Sequence, residues 1–165
     1  MNRRRLAMLG ALGLLAAGPG IPAASAQTAR EISGTYAIAS TVNTAPDGKK
    51  TEPFGADPKG AAVFGRDGRF VIVLSRADLP KFASGNRMQG TADENKAIVQ
   101  GGIGYFGTWS VAGKVLTLHI DGGSWPAWTG TDQKREIVAF NKRTLTLNVP
   151  ASIGGTTVTV WRRTY

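Results

Sequence analysis

Residues 101–135 read GGIGYFGTWSVAGKVLTLHIDGGSWPAWTGTDQKR and contain three of the four tryptophans and the only histidine of the chain. Within this stretch, residues 103–111 and 114–121 are two runs rich in β-branched and aromatic side chains, separated by Ala112 and Gly113. A two-residue connection that contains glycine is typical of a β-hairpin. The stretch therefore predicts two paired antiparallel strands, from which the rest of the fold can be built.

The predicted hairpin has one apolar and one polar face, because side chains alternate along a strand. With the turn at residues 112–113, we expect Trp109 to pair with Leu116 and Tyr105 with Ile120. A slip of one residue would mix the two sets of side chains, which favours this register. The expected inward face comprises Ile103, Tyr105, Trp109, Val111, Leu116, Leu118 and Ile120.

His119 falls on the opposite face, with threonine and serine. We therefore predict that it is an ordinary histidine on the outside or at the rim, and not a general base. The chain has no second histidine and no cysteine, so no metal site of the histidine and thiolate kind is expected. No motif indicates a cofactor.

The N-terminus has the features of a secretory signal peptide. Residues 3–5 are arginines, residues 6–17 form an apolar run too short to span a bilayer, and residues 24–26 read Ala-Ser-Ala. We expect residues 1–26 to be removed before Gln27, after export by the general secretory or the twin-arginine route. The mature chain, residues 27–165, is then one periplasmic or secreted domain without a membrane span.

The charge distribution argues against nucleic acid as a partner. The full chain has a net charge of +9, and the part after the predicted cleavage site keeps 17 basic and 11 acidic residues, a net charge of +6. These charges are scattered, with no basic cluster longer than a pair such as Arg162 and Arg163. A scattered pattern is typical of a solvated surface. The composition does not determine the oligomeric state.

Short strands and turns follow each other along the mature chain. An Asp67-Gly68 turn predicts a hairpin in which Val63 lies opposite Ile72 and shares its face with Phe70. A capping signature at residues 91–94 predicts one short helix through residue 99. The eight predicted strands are residues 31–42, 61–66, 69–75, 103–111, 114–121, 134–140, 144–149 and 156–165.

Eight strands in this order predict an all-β fold, an eight-stranded antiparallel up-and-down barrel with the helix in a loop. The long connections follow the first, third, fifth and seventh strands, so they should gather at one end of the barrel, here called the mouth. The tight turns should close the other end, where Tyr36 is expected near Trp161 and Arg163. A barrel of this size is filled by side chains or holds one small ligand.

Motifs along most of the mature chain resemble those of the lipocalin-like domain family, found in small secreted bacterial proteins and in fungal natural-product gene clusters. The resemblance implies a lipocalin-type barrel and little about chemistry. It also implies a closed-end contact in which Tyr36, in place of the usual tryptophan, packs against Arg163. The matching motifs are Gly34-Thr35-Tyr36, residues 60–70, Pro80-Lys81-Phe82-Ala83 with Arg87, Tyr105-Phe106-Gly107-Thr108, Pro126-x-Trp128-x-Gly130 followed by Arg135, Leu145-Thr146-Leu147 and Trp161-x-Arg163.

Five residues near the mouth are candidates for ligand binding. Trp125 and Trp128 lie in a mouth loop, where they either cover a pocket or plug the barrel. Tyr105 begins a strand at the mouth on the inward face, so its hydroxyl either anchors a ligand or reaches water. The set is Phe82, Tyr105, Trp125, Trp128 and Arg135.

Arg135 is the most informative candidate. If residues 141–143 form a three-residue loop, Ala139 faces Leu145 and Ile137 faces Leu147, so the Arg135 guanidinium points into the barrel; a two-residue loop would turn it outward. A buried arginine needs a partner. The alternatives are a carboxylate of the protein, such as that of Asp132, and an acidic ligand.

Two functions of different classes follow. The one we prefer is a non-catalytic barrel that binds a small hydrophobic or amphipathic molecule, which is partly apolar and is either neutral or acidic. The alternative is a barrel enzyme of the isomerase or cyclase type, in which Tyr105, His119 or Arg135 assists as an acid or by electrostatic stabilisation. No carboxylate pair or Ser-His-Asp set is visible to support the enzyme.

Overall fold

A computed structural model gives the structure of the protein and describes residues 29–150 and 154–164. The predicted signal peptide lies outside the described residues. The strands are β1 Gly34–Thr44, β2 Lys50–Thr51, β3 Lys59–Phe64, β4 Arg69–Ser75, β5 Gly102–Ala112, β6 Val115–Gly123, β7 Asp132–Phe140, β8 Thr144–Pro150 and β9 Thr156–Arg163. The helices are α1 Ala29–Ile32, α2 Ala92–Gly101 and a 3₁₀ turn at Pro126–Trp128.

The strands close into a barrel. Each pairs with its sequence neighbour from β3 to β9, β1 pairs with β3, and β9 returns to pair with β1, all antiparallel. The two-residue β2 adds only to the mouth end of β1. The prediction of a closed eight-stranded up-and-down barrel is therefore confirmed. None of the helices in the described ranges has the length and apolar character needed to cross a membrane.

The long connections lie together at the mouth, as predicted from their alternation along the chain. One of them carries α2, which begins at the expected capping box. Thr91 Oγ1 accepts a hydrogen bond from the Glu94 backbone N–H at 3.2 Å, and the Glu94 carboxylate accepts one from the Thr91 N–H at 2.7 Å. These bonds satisfy backbone donors that the first turn of a helix leaves unpaired.

The closed end holds an aromatic core. Tyr36 is fully buried, its ring lies 6.0 Å from that of Phe64, and Phe64 lies 5.2 Å from Trp109. The Trp109 indole N–H donates to the Gly65 carbonyl at 2.9 Å. The predicted contact with the last strand is confirmed, because the Arg163 guanidinium lies 4.8 Å from the centre of the Tyr36 ring.

The predicted register of the central hairpin is wrong by two residues. Ala112 pairs with Val115 and Trp109 with Leu118, so the turn consists of Gly113 and Lys114. Gly113 has a φ of +60°, which the first central residue of this kind of turn requires and which glycine adopts at little cost. A shift of two residues preserves the alternation, so the predicted inward and outward faces are correct.

The predicted register of the Asp67-Gly68 hairpin is wrong by one residue. Phe64 pairs with Phe70 and Val63 with Val71, around a four-residue turn in which the Gly65 N–H donates to the Arg69 carbonyl at 2.7 Å. A one-residue shift exchanges the faces. Val63 is therefore on the outside, 37% exposed, and Phe64 is in the core. The four-residue turn, which is longer than the predicted two-residue turn, therefore buries Phe64 in place of the smaller Val63.

Candidate functional site

A cavity of about 270 Å³ lies in the mouth half of the barrel, above the aromatic core. This volume corresponds to about nine water molecules of liquid, so the cavity suits one small molecule. Its walls are mainly apolar, with a few polar groups, which is the usual composition of a small-molecule site. The apolar lining includes Phe54, Ile72, Leu74, Ile103, Leu118, Trp128, Leu147, Val149 and Trp161, and the polar lining includes Thr41, Asn43, Gln100, Tyr105, Arg135, Thr157 and Thr159.

Arg135 points into this cavity and is only 4% exposed. Two departures from the predicted β7–β8 hairpin compensate for each other. Phe140, and not Ala139, faces Leu145, and a bulge between Ile137 and Ala139 then restores the predicted pairing of Ile137 with Leu147. Arg135 consequently keeps the inward orientation that the three-residue loop predicts, whereas Ala139 lies on the outside.

The Arg135 guanidinium has few polar partners for a buried cation. Nη1 donates to the adjacent Lys134 carbonyl at 3.1 Å, and the guanidinium carbon lies 5.7 Å from the centre of the Trp128 ring. No carboxylate in the described ranges lies within 4.0 Å of it. The suggested partner Asp132 instead contacts His119 Nδ1 at 2.8 Å on the outside of the barrel, so the structure does not support an Asp132 partner.

Tyr105 and Trp128 complete the surroundings of the guanidinium. Their rings meet edge to face at 5.3 Å, and the Tyr105 ring also contacts Phe70 at 5.9 Å. Burial raises the pKa of Tyr105, and the neighbouring Arg135 guanidinium opposes this shift without cancelling it. The phenol is therefore protonated at neutral pH, and its hydroxyl adjoins Arg135.

The remaining two predicted residues, Trp125 and Phe82, do not line this cavity. Trp125 is 51% exposed and lines a second, shallower cavity of about 510 Å³ beside α2, which it shares with Trp128. Phe82 is not in the lining of the 270 Å³ cavity. It packs within the β4–α2 connection, where a Cβ on Gly90 would lie 2.6 Å from its ring. Of the five candidates, the structure thus brings together Tyr105, Trp128 and Arg135 around one cavity.

Sequence reasoning missed the polar wall opposite these residues. The expected alternation from Tyr36 and Ile38 would continue with Ser40 and Val42 on the inside, but β1 has an irregularity between Ile38 and Ser40. Beyond it, Thr41 and Asn43 face the cavity and are 1% and 2% exposed. Nothing in the sequence marks this bulge, because both registers place a mixture of polar and apolar residues inside.

Metal chemistry has no visible basis in the described part of the chain, where no group of three or more histidine or carboxylate side chains could hold an ion. His119 lies on the outside with Asp132, as predicted, and is half exposed. It therefore cannot act on a molecule inside the barrel.

Comparison with solved structures finds other β-barrels. A lipocalin-like protein from Bacteroides uniformis is 13% identical, with a TM-score of 0.45 over 81% of this chain and 98% of that one. A redesigned β-barrel is 12% identical, with a TM-score of 0.44 over 87% of this chain and 100% of that one. A designed fluorescence-activating β-barrel is 13% identical, with a TM-score of 0.40 over 82% of this chain and 95% of that one.

Comparison with curated proteins finds a short match. A stretch of 55 residues is 40% identical to the large ribosomal subunit protein bL31 of Allorhizobium ampelinum, covering 29% of this chain and 75% of that protein. Less than a third of the chain cannot form a barrel that needs all eight strands to close, so this match does not define the fold.

The profile of the family described as Lipocalin-like domain matches residues 33–164. This range contains every strand of the barrel, from Gly34 of β1 to Arg163 of β9. It also contains the closed-end Tyr36–Arg163 contact and the whole lining of the cavity. The chain therefore belongs to the lipocalin-like domain family.

Proposed function

We propose that the protein is a binding barrel for one small, partly apolar molecule that carries a carboxylate or a similar acidic group. The observation that carries this proposal is the buried Arg135 guanidinium, which faces the cavity without a carboxylate partner among the described residues. A charge taken out of water costs free energy unless it is paired and hydrogen-bonded. An acidic ligand would provide that pairing.

The geometry around Arg135 suits an acid. The planar guanidinium can donate two parallel hydrogen bonds to a carboxylate, and among the described residues its donors meet only the Lys134 carbonyl and the neighbouring Tyr105 hydroxyl. The protonated Tyr105 hydroxyl is a further donor beside it. The apolar lining from β4, β6 and β8 would surround the rest of the molecule, and burial of that part would supply most of the affinity.

Binding accounts for this site better than catalysis does. Of the three residues considered for an enzyme, His119 lies outside the barrel, and the described lining of the cavity contains no histidine or carboxylate that could accept a proton. The ionisable groups that the described lining does contain are the Arg135 guanidinium and the protonated Tyr105 phenol. These groups hold an anion but do not form an acid and base pair.

The test uses octanoate as a probe and octanol, which has the same chain without the charge, as its comparison. The variant is Arg135→Met, and the matched control is Lys134→Met, which removes the adjacent exposed charge. Octanoate affinity should fall about 100-fold in Arg135→Met and change less than twofold in Lys134→Met, whereas octanol binding should not change. Equal octanoate affinity in the wild type and in Arg135→Met would refute the proposal.

A second measurement needs no assumed ligand. Native mass spectrometry of the gently purified protein, followed by denaturing extraction, should show a stoichiometric adduct that carries an acidic group. Recovery of a neutral or cationic molecule from the cavity would contradict the proposal.

We further propose that the barrel acts in the periplasm or outside the cell. The support is the leader-like sequence of residues 1–26, with its basic start, apolar run and Ala-Ser-Ala end. N-terminal sequencing of the protein from its native source should begin at Gln27, and a retained Met1 would contradict export with cleavage.

A further inference from the structure

The side of the cavity that faces Tyr105 is a polar wall formed by Thr41, Asn43, Thr157 and Thr159, here called the threonine wall. Thr41 pairs with Thr159 and Asn43 with Thr157 across β1 and β9, so the four side chains form two rows. All four line the cavity. The threonine wall is therefore a continuous patch of uncharged hydrogen-bonding groups.

Thr41 differs from its neighbours in having no hydrogen-bond partner for its hydroxyl within the described part of the chain. Asn43 Nδ2 donates to Thr157 Oγ1 at 3.2 Å and to the Gly154 carbonyl at 3.5 Å, and Thr159 Oγ1 donates to the Leu147 carbonyl at 3.5 Å. Thr41 is only 1% exposed. A buried hydroxyl without a partner destabilises the fold, and valine would fill the same space without that cost.

The β-bulge is the reason that this hydroxyl is inside. Without the irregularity between Ile38 and Ser40, strand alternation would turn Val42 inward and Thr41 outward. Bulges re-aim side chains and are frequent next to binding sites. The fold thus places Thr41, with its unpaired hydroxyl, in the wall of the cavity at the place where β1 departs from regular pairing with β9.

The threonine wall and Arg135 lie on different sides of the barrel. Around the ring of eight strands, β1, which carries Thr41, is three strands from β7, which carries Arg135, whereas β9, which carries Thr157 and Thr159, is two strands from β7. The strand between β9 and β7 is β8, whose Leu147 and Val149 give the lining an apolar stretch there. A ligand whose acidic group meets Arg135 therefore has its other end near the threonine wall.

We infer that the ligand is bifunctional: an acidic group at one end, an apolar body, and an uncharged hydroxyl or carbonyl group that hydrogen-bonds Thr41 at the other end. A second charge does not fit, because the threonine wall has no charged side chain to pair with it. This inference rests on the proposed function, since the acidic end defines which end reaches Thr41.

The experiment compares straight-chain alkanoic acids of six to ten carbons with the ω-hydroxy acids of the same length. Affinities are measured by calorimetry in the wild type, Thr41→Val and Thr41→Ser, with the exposed, outward-facing Thr108→Val as the control. At one chain length, the ratio of ω-hydroxy acid to alkanoic acid affinity should be about tenfold higher in the wild type than in Thr41→Val, equivalent to one hydrogen bond. Thr41→Ser should retain most of this ratio, and Thr108→Val all of it.

The outcomes separate the two proposals. If alkanoic acids bind through Arg135 but the ratio is the same in the wild type and Thr41→Val at every chain length, the bifunctional ligand is refuted and the proposed function stands. If none of the acids binds in an Arg135-dependent manner, the proposed function itself fails. If the ratio changes equally in Thr108→Val, the effect does not come from the threonine wall, and the inference is overturned.

Discussion

The barrel places two arginines beside aromatic rings, Arg135 buried and Arg163 partly buried, and the two differ in how their hydrogen-bonding capacity is used. At the closed end, the Arg163 Nη groups donate to the Ser33 carbonyl at 2.7 Å, and to the Glu31 carbonyl and the Tyr36 hydroxyl at 2.5 Å each. At the mouth, Arg135 Nη1 donates to the carbonyl of its own neighbour at 3.1 Å, and the Tyr105 hydroxyl adjoins the guanidinium. Arg163 Nε has no partner among the described residues, but an arginine whose Nη donors are used within the protein stabilises the fold, whereas one with free Nη donors in a cavity can bind a ligand.

The closed-end contact also includes a chain of two hydrogen bonds through the Tyr36 hydroxyl. The Tyr36 hydroxyl accepts from Arg163 and donates to the Ile32 carbonyl at 2.6 Å, which ties α1 to the last strand. Burial raises the pKa of Tyr36, and Arg163 opposes the shift. The mouth has the same residue types, with Tyr105 beside Arg135, but there the guanidinium donates to one backbone carbonyl among the described residues, whereas Arg163 donates to two. We therefore predict a structural role for the Tyr36–Arg163 pair and a ligand-binding role for the Tyr105–Arg135 pair.

The largest expected effect is on stability. Arg163→Met should lower the free energy of unfolding by about 3–5 kcal/mol, because it leaves backbone carbonyls and the buried Tyr36 hydroxyl without their charged donor. Arg135→Met should change it by less than about 1 kcal/mol or raise it, because it removes a poorly paired buried charge. Urea unfolding of both variants measures this difference. Equal losses would show that Arg135 also has a structural role.

The two mouth tryptophans provide the next test. Trp128→Leu should weaken octanoate binding about tenfold, because Trp128 packs against Arg135 and Tyr105 and holds them in place. Trp125→Leu should change binding less than twofold, since the Trp125 side chain is half exposed at the shallower cavity. Calorimetric titration measures octanoate binding in both variants. A larger effect of Trp125→Leu would indicate that the ligand binds in the shallower cavity outside the barrel.

A smaller effect, of opposite sign, is expected at the threonine wall. Thr41→Val should raise the free energy of unfolding by about 1 kcal/mol, because it replaces a buried, unpaired hydroxyl with a methyl group. Thr108→Val, on the exposed face of β5, should remain within about 0.5 kcal/mol of the wild type. Thermal and urea unfolding measure both. A loss of stability in Thr41→Val would show that its hydroxyl already has a partner.

The smallest expected effect concerns pH at the mouth. Backbone N–H groups of Ala83 and Thr91 hold the pKa of Glu94 below its ordinary value of 4.5. A lowered pKa in the folded state stabilises the helix cap above that ordinary value, and the stabilisation is lost as the pH falls through the lowered pKa. The protection of the α2 amides against hydrogen exchange, relative to the intrinsic rate at each pH, should therefore fall on acidification before that of the barrel strands.

Glu94→Ala is the variant that checks this pH effect, because it should remove the pH dependence of α2 in that range. Asp93→Ala, in the same helical turn but outside the capping box, should leave it in place. If α2 opens together with the barrel in both variants, the cap has no separate role.

Arg135, Phe82 and Thr41 show why some residues of the site were predictable from the sequence and others were not. Arg135 was expected inside only if residues 141–143 formed a three-residue loop. The pairing next to the loop differs, but the bulge between Ile137 and Ala139 restores the pairing of Ile137 with Leu147, so Arg135 faces the cavity. Phe82 had no such constraint, because it lies in a loop without a periodic pattern. Thr41 was missed because threonine is tolerated on either face of a strand, so the sequence did not reveal the bulge before it.

The sequence by itself determined the number and order of the strands, the tight and long connections, and the side of the central hairpin that is buried, because these depend on local turn chemistry and on the alternation of apolar residues. Only the tertiary structure decided what surrounds each buried polar group. Whether Arg135 has a carboxylate, and whether Thr41 has an acceptor, depends on residues that closure of β9 onto β1 brings together across the barrel, and no local pattern encodes those distances.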